Sequence, residues 1–293
     1  EAVRPFGDSV FVLRLLPAVA GAALVALAAL LGRAFGGGRY AQGLAGLVAA
    51  AVPLFLRAAS LFQPVVFDQL WWTAGFLALA HLCRADEAAR TRWWLVLGAA
   101  AGLGLLTKLS VLFWGLGVFA GLVVTPHRRV LATRGPWLAL AVALVLGSPT
   151  LVGQVRLDFP VFGQMAALGD AQLDRVSYLD FVAGQVLMLG PAFLLAVLGV
   201  VALLRDRTYR PVGVAVAVAF VVVMLMHGKP YYIGPVYPAL FGAGAAALER
   251  WTVRLRARHA ERAAVAVRGT TVVLVAAFGM LVLPMGLPVL PPA

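Results

Sequence analysis

Four groups of polar residues stand out against an otherwise apolar chain, and their types bound the chemistry it can do. In FDQLWW, Asp68 precedes the pair Trp71 and Trp72. A carboxylate there can act as a general base; it is equally what a helix N-terminus favours through its dipole. In GLGLLTKLS, Lys108 is the one charge between Arg92 and Arg128. Its ammonium either snorkels to an interface or faces a cavity, where it would bind phosphate as a point charge. The stretch VRLDFPVFGQMAALGDAQLDRVSYLD places Arg156 and Asp158 just after an apolar segment, with Asp170, Asp174, Arg175 and Asp180 further on. The later charges read as solvated; Arg156 and Asp158 divide evenly between solvation and lining a site. In HGKPYYIGPVYP, His227, Lys229, Tyr231, Tyr232 and Tyr237 share a turn with three prolines. A cation with aromatic hydroxyls suits a lipid phosphate or a sugar, and an interfacial tyrosine belt is the plainer reading.

The elements that position these groups follow from composition. The 293 residues are 62% hydrophobic and 12% charged, against about 45–50% and about 25% in soluble domains. A soluble globule, a disordered chain and a disulfide scaffold are excluded. The single cysteine, Cys83, cannot form an internal disulfide and reads as packing near a helix end. Ten apolar segments are expected, at 11–32, 41–56, 68–83, 93–107, 109–125, 137–153, 181–204, 212–226, 235–248 and 269–290. A bilayer leaves the backbone no partner but itself, so these are helices. The fold class is all-α: one polytopic transmembrane bundle of about ten spans across residues 1–293. Its longest outer loop is 154–180, in which MAALGDAQL is expected to form a short helix. The Ala- and Gly-rich runs 96–104 and 239–247 allow close helix approach.

Net charge then separates the loops. The connections 33–40, 84–92, 126–136, 205–211 and 249–268 hold 17 of the 24 basic residues and 5 of the 12 acids. The other face holds seven of each, so the whole +12 lies on one face. The positive-inside rule makes that face cytoplasmic and puts all four polar groups outside. The segment 249–268 is a cytoplasmic basic segment, and its part RHAERAAVAVR, ending at Arg268, can lie along anionic lipid as an interfacial helix. Nucleic acid is not expected as a partner, since no aromatic-studded basic groove or binding motif accompanies the charge. No Walker loop, zinc spacing or GxSxG elbow is present.

The segments GDSVFVLRLLPAVAGAALVALAALLGRAFGGGRYAQ (7–42), FDQLWW, GLGLLTKLS and KPYYIGPVYP together resemble the GT-C class of membrane glycosyltransferases. The nearest group is the family of dolichyl-phosphate-mannose-protein mannosyltransferases and aminoarabinose transferases, over about residues 7–250 and in the family's motif order. The resemblance implies a multi-pass plasma-membrane enzyme with its active face extracytoplasmic. Its donor would be a polyprenyl-phosphate sugar, transferred with inversion to a lipid, glycan or protein acceptor, and no cofactor or metal is implied. Lys108 falls on the family's Thr-Lys position, and Lys229 with Tyr232 on its basic–Tyr–Pro segment. Asp68 falls near an acid that opens a family span, and Arg156 and Asp158 match more loosely.

The sequence departs from the family pattern at its start. The family carries a further span and an outer loop with an Asp or Asp-Glu motif ahead of the GDSVFVLRLLP stretch. Here six residues precede it, with Glu1 as their one acid. The expectation is therefore a chain lacking its first span and first-loop acid, and inactive or nearly so. Asp68 and Asp158 remain as weak catalytic candidates, and Lys108, Arg156, Lys229, Tyr231 and Tyr232 as donor-binding residues. The alternatives are a transporter or flippase of a lipid-linked substrate, which would place ionisable residues at mid-membrane, and a non-enzymatic membrane scaffold.

Overall fold

Prolines and one glycine decide where the apolar segments become continuous helices. The computed structural model describes residues 10–169, 171 and 176–287; Glu1, Asp170, Asp174 and Arg175 lie outside the described residues. Among the described residues there are thirteen α-helices: α1 Val10–Ala34, α2 Arg39–Ala51, α3 Pro53–Ser60, α4 Pro64–Leu82, α5 Glu87–Thr107, α6 Val111–Val123, α7 Gly135–Arg156, α8 Pro160–Leu168, α9 Tyr178–Leu189, α10 Ala192–Arg205, α11 Arg210–Leu225, α12 Tyr237–Ala257 and α13 Glu261–Gly286. Two 3-10 turns, Pro126–Ala132 and Pro230–Val236, join them. The described residues contain no strand, and the fold is an all-α membrane bundle.

Each of the ten expected segments contains a helix, but two are not single helices. Segment 41–56 breaks at Val52, whose extended ψ of 127° is what a residue before proline adopts, and α2 and α3 meet at 60°. Segment 181–204 breaks at Gly190, with φ 52° and ψ −130°, followed by Pro191; α9 and α10 meet at 112°. Only glycine adopts that backbone comfortably. By length and hydropathy alone, three helical stretches can cross a bilayer: Leu13–Ala34, Gly135–Arg156 and Glu261–Pro284. Counting each bent pair as one span raises this to six. The remaining helices must cross, if at all, as members of the bundle.

Two further segments take definite form. The basic segment 249–268 forms a helical hairpin. α12 runs on to Ala257, His259 turns with φ 61°, and α13 begins at Glu261. In the outer loop, the short helix begins at Pro160, five residues ahead of the Met165 that opens MAALGDAQL. Pro160 sets its first turn, because its missing N–H is unneeded there.

The core gathers around α12, which is buried from Tyr237 to Ala246. Small residues make this possible. A Cβ on Gly244 would collide with the Leu195 carbonyl of α10, and one on Gly98 with the Ala139 carbonyl of α7. The Ala- and Gly-rich runs thus serve close helix approach.

The loops form two separate networks. At the arginine-rich end, the Glu249 carboxylate accepts from Gly38 N at 2.6 Å and Ala41 N at 3.2 Å, capping α2. Arg250 donates to Phe35 O, Arg84 donates to Ala34 O, and the Tyr209 hydroxyl also donates to Ala34 O. Three donors thus satisfy carbonyls left over at the C-terminal end of α1. Apart from the bond to Ala41 N, these bonds join members of the basic loop set.

Candidate functional site

At the opposite end, four polypeptide segments converge: the start of α4, the α5–α6 junction, the start of α9 and the turn 226–237. Asp68 sits in the second turn of α4 and is 2% exposed. The Ser110 hydroxyl donates to its two carboxylate oxygens, at 2.9 and 3.0 Å. Ser110 is the N-cap of α6, yet its side chain makes no cap bond and is turned to Asp68 instead. The neighbouring Trp71 donates its indole N–H to Thr107 at 3.2 Å, tying α4 to the last residue of α5.

Lys108 follows Thr107 in an extended conformation (φ −162°, ψ 133°), which ends α5 and swings the side chain away from the helix. Its Nζ lies 4.3 Å from the centre of the Tyr232 ring, a cation–π distance. Asp68 is the carboxylate whose charge acts on this ammonium. Tyr232 meets Tyr231 edge-on at 4.8 Å. Burial, with Tyr232 beside it, pushes the Tyr231 phenol up to about 12, so it stays a neutral hydrogen-bond donor. Lys229 is the N-cap of the same 3-10 turn. The structure therefore brings Asp68, Lys108, Tyr231, Tyr232 and the Lys229 backbone to one end of the bundle.

The turn itself is held rigidly. Gln185 of α9 donates to Pro230 O at 3.2 Å and accepts from the Tyr237 hydroxyl at 2.6 Å. His227, with φ 51°, shares a hydrogen bond with Val176 O at 2.8 Å and stacks on Tyr178 at 4.9 Å. Gln185, Ser110 and Gln69 were not among the residues singled out from sequence. Gln69 is fully buried beside Gly234, and neither of its amide atoms has a partner among the described residues.

Arg156 and Asp158 lie elsewhere. Both are exposed at the end of α7, which packs on α5. No hydrogen bond or ring contact links either to the Lys108 cluster among the described residues. Asp158 and Phe159, both with φ 53°, reverse the chain into α8.

Two cavities open nearby. One of about 290 Å³ lies beside the cluster between Phe62, Gln63, Pro64, Phe67, Leu106 and Thr107. A larger one, about 470 Å³, lies between α1, α2 and α3, with Arg14 and Ser60 on its wall. Among the described residues no three His, Cys, Asp or Glu side chains converge as metal ligands.

One signal in the sequence carries more than it first shows. Lys108 and Lys229 are the chain's only lysines; its other 22 basic residues are arginine. Every cation of the basic loops is a guanidinium group. Lys108 and the Lys229 backbone both belong to the other end.

An all-helical membrane bundle with this polar end matches known architecture. Two crystal structures of ArnT from Cupriavidus metallidurans superpose on the chain. The apo form gives a TM-score of 0.62 at 23% identity, covering 81% of this chain and 45% of that one. The form bound to undecaprenyl phosphate gives 0.67 at 23% identity, covering 85% and 48%. The chain thus spans about half the length of the structures it matches. No curated protein matches. Residues 3–152 match the family model described as dolichyl-phosphate-mannose-protein mannosyltransferase, and the chain belongs to that family. The matched span contains Asp68, Lys108 and Ser110; the turn 226–237 lies beyond it.

Proposed function

We propose that this chain forms the donor-binding core of a plasma-membrane glycosyltransferase that takes a polyprenyl-phosphate sugar at the extracytoplasmic face. The observation that carries the reading is the Lys108 ammonium over the Tyr232 ring, beside Tyr231 in the turn that Lys229 heads, at the end of the bundle opposite the arginine-rich loops. Family membership gives the reaction class, and the likeness to an ArnT bound to undecaprenyl phosphate supports the type of donor.

The chemistry divides between holding the leaving group and activating the acceptor. Transfer breaks the bond between the anomeric carbon and the donor phosphate, so negative charge grows on phosphate oxygen. Fixed cations at that point lower the barrier because they need no reorganisation as charge develops. The Lys108 ammonium is one such group, and Lys229 at the head of the facing turn is the second. The cavity beside Thr107, walled by Phe62, Phe67 and Leu106, gives an isoprenoid chain an apolar path from the cluster to the lipid. Sugar hydroxyls meet the Tyr231 and Tyr232 phenols.

Acceptor activation requires a base on the other side of the anomeric carbon, with inversion as the result. Asp68 is buried and engaged by Ser110; Asp158 is exposed on the α7–α8 turn. We read neither as that base, and assign to these residues the donor-binding half of the chemistry.

The test uses the full chain in detergent with undecaprenyl phosphate as ligand. Lys108→Ala and Lys229→Ala are expected to weaken binding at least tenfold, and Arg156→Ala to leave it within twofold. Equal affinity in all four proteins would remove the proposed site.

A further inference from the structure

Asp68 is the one carboxylate in the cluster, and the geometry gives it a task other than proton abstraction. Its two oxygens accept from the hydroxyl of Ser110. Ser110 stands two residues after Lys108 at the α5–α6 junction, so the bond fixes that junction against α4. Lys108 is then pinned on its other side by the Tyr232 ring at 4.3 Å. A base must expose a lone pair to the acceptor, and a carboxylate 2% exposed and held by a hydroxyl does not. A buried carboxylate near a half-buried ammonium does something different. It offsets the cost of removing that cation from water, and so keeps it charged.

We propose that Asp68 is a positioning residue that acts through Ser110 and its own charge to hold Lys108 as an ammonium under Tyr232, poised for the donor phosphate. The inference rests on the reading of Lys108 as a phosphate ligand. It assigns the buried acid to the cation rather than to the acceptor.

The groups facing Lys108 come from three elements. Asp68 of α4 supplies the opposing charge. Tyr232, with Tyr231 beside it, supplies the ring face from the 3-10 turn, and Lys229 heads that turn. Ser110 supplies the neutral link at the start of α6. Burial pushes the Lys108 ammonium below the usual lysine range, while Asp68 opposes that shift. Removing the carboxylate leaves burial unopposed. Lys108 then loses its proton at lower pH, and phosphate binding is lost earlier as pH rises. At low pH, where the ammonium is charged in either case, binding is restored. A purely structural role for Asp68 would weaken binding equally at every pH.

The chain's two lysines make this directly measurable. Reductive methylation with ¹³C-formaldehyde labels only Lys108, Lys229 and the terminal amine of the full chain, and each titrates in its own NMR resonance. Asp68→Asn is expected to lower the Lys108 titration by about one to three pH units and leave Lys229 in place. Undecaprenyl phosphate binding by the unmethylated variant should match wild type below that lowered titration and fall at least tenfold behind between it and the wild-type titration. An unchanged Lys108 titration, or a binding loss independent of pH, would overturn the assignment. Should Asp68→Asn fail to fold, Ser110→Ala keeps the carboxylate and removes the link; it should shift Lys108 less, in the same direction. If Lys108→Ala binds as wild type does, the donor reading falls and the positioning role with it, whatever the titration shows.

Discussion

Tyr232 holds Lys108 through its ring face, because the Lys108 Nζ stands over the ring, and this leaves its hydroxyl to the sugar. A cation–π contact is worth about 0.5–2 kcal/mol, depending on desolvation. Tyr232→Phe should therefore bind undecaprenyl phosphate within about threefold of wild type, and Tyr232→Leu about tenfold more weakly. Titration calorimetry of the two variants checks this, and equal losses would place the contribution on the hydroxyl. At this scale the sequence was legible where residue type was unusual for its surroundings. A lone lysine between two apolar runs and a basic residue among tyrosines both marked segments that the fold brings to one end. Ser110 and Gln185 gave no such sign, since a serine beside a helix start reads as a cap and a glutamine inside an apolar helix has no periodicity. Their roles exist only once α4, α9 and the 226–237 turn are brought together. Arg156 and Asp158 carried a signal of the same kind as Lys108, and the fold leaves them exposed at the end of α7.

Helix approach distances, set by glycine, place these residues. A Cβ at Gly98 would collide with the backbone of Ala139, whereas one at Gly43 meets open space. The same substitution should therefore have opposite signs at the two positions. Gly98→Ala should destabilise the bundle by about 1–3 kcal/mol through overpacking. Gly43→Ala should stabilise it by about 0.5–1 kcal/mol through helix propensity. Thermal unfolding in detergent reads both, and two shifts of the same sign would refute the packing. Each apolar run became helix, because burial in lipid leaves a helix as the available structure, and α8 lies outside those runs. They could not predict the bends. Hydropathy is continuous across Val52–Pro53 and Gly190–Pro191, and only the local backbone chemistry of proline and glycine separates α2 from α3 and α9 from α10. α12 also outruns its apolar segment, since its arginine-rich last turns are stable helix that charge made look like loop.

Across the whole molecule, charge and bonding agree on two ends. Arg84, Arg250, Glu249 and Tyr209 knit the basic loops together, while Asp68, Lys108, Tyr232 and Gln185 knit the others. With positive charge inside, a reporter fused at residue 130 should report cytoplasm and one at residue 165 the outside; the reverse would invert the proposed active face. The central claim is that both lysines hold the donor phosphate, and lysine's rarity here allows it to be read without mutation. The protein is labelled with ¹⁵N at lysine Nζ and loaded with undecaprenyl phosphate in lipid bilayers. Rotational-echo double resonance then measures the ¹⁵N–³¹P coupling. Dephasing of both lysine signals by the bound phosphate is the predicted result. Full phosphate occupancy with neither signal dephased would contradict the account.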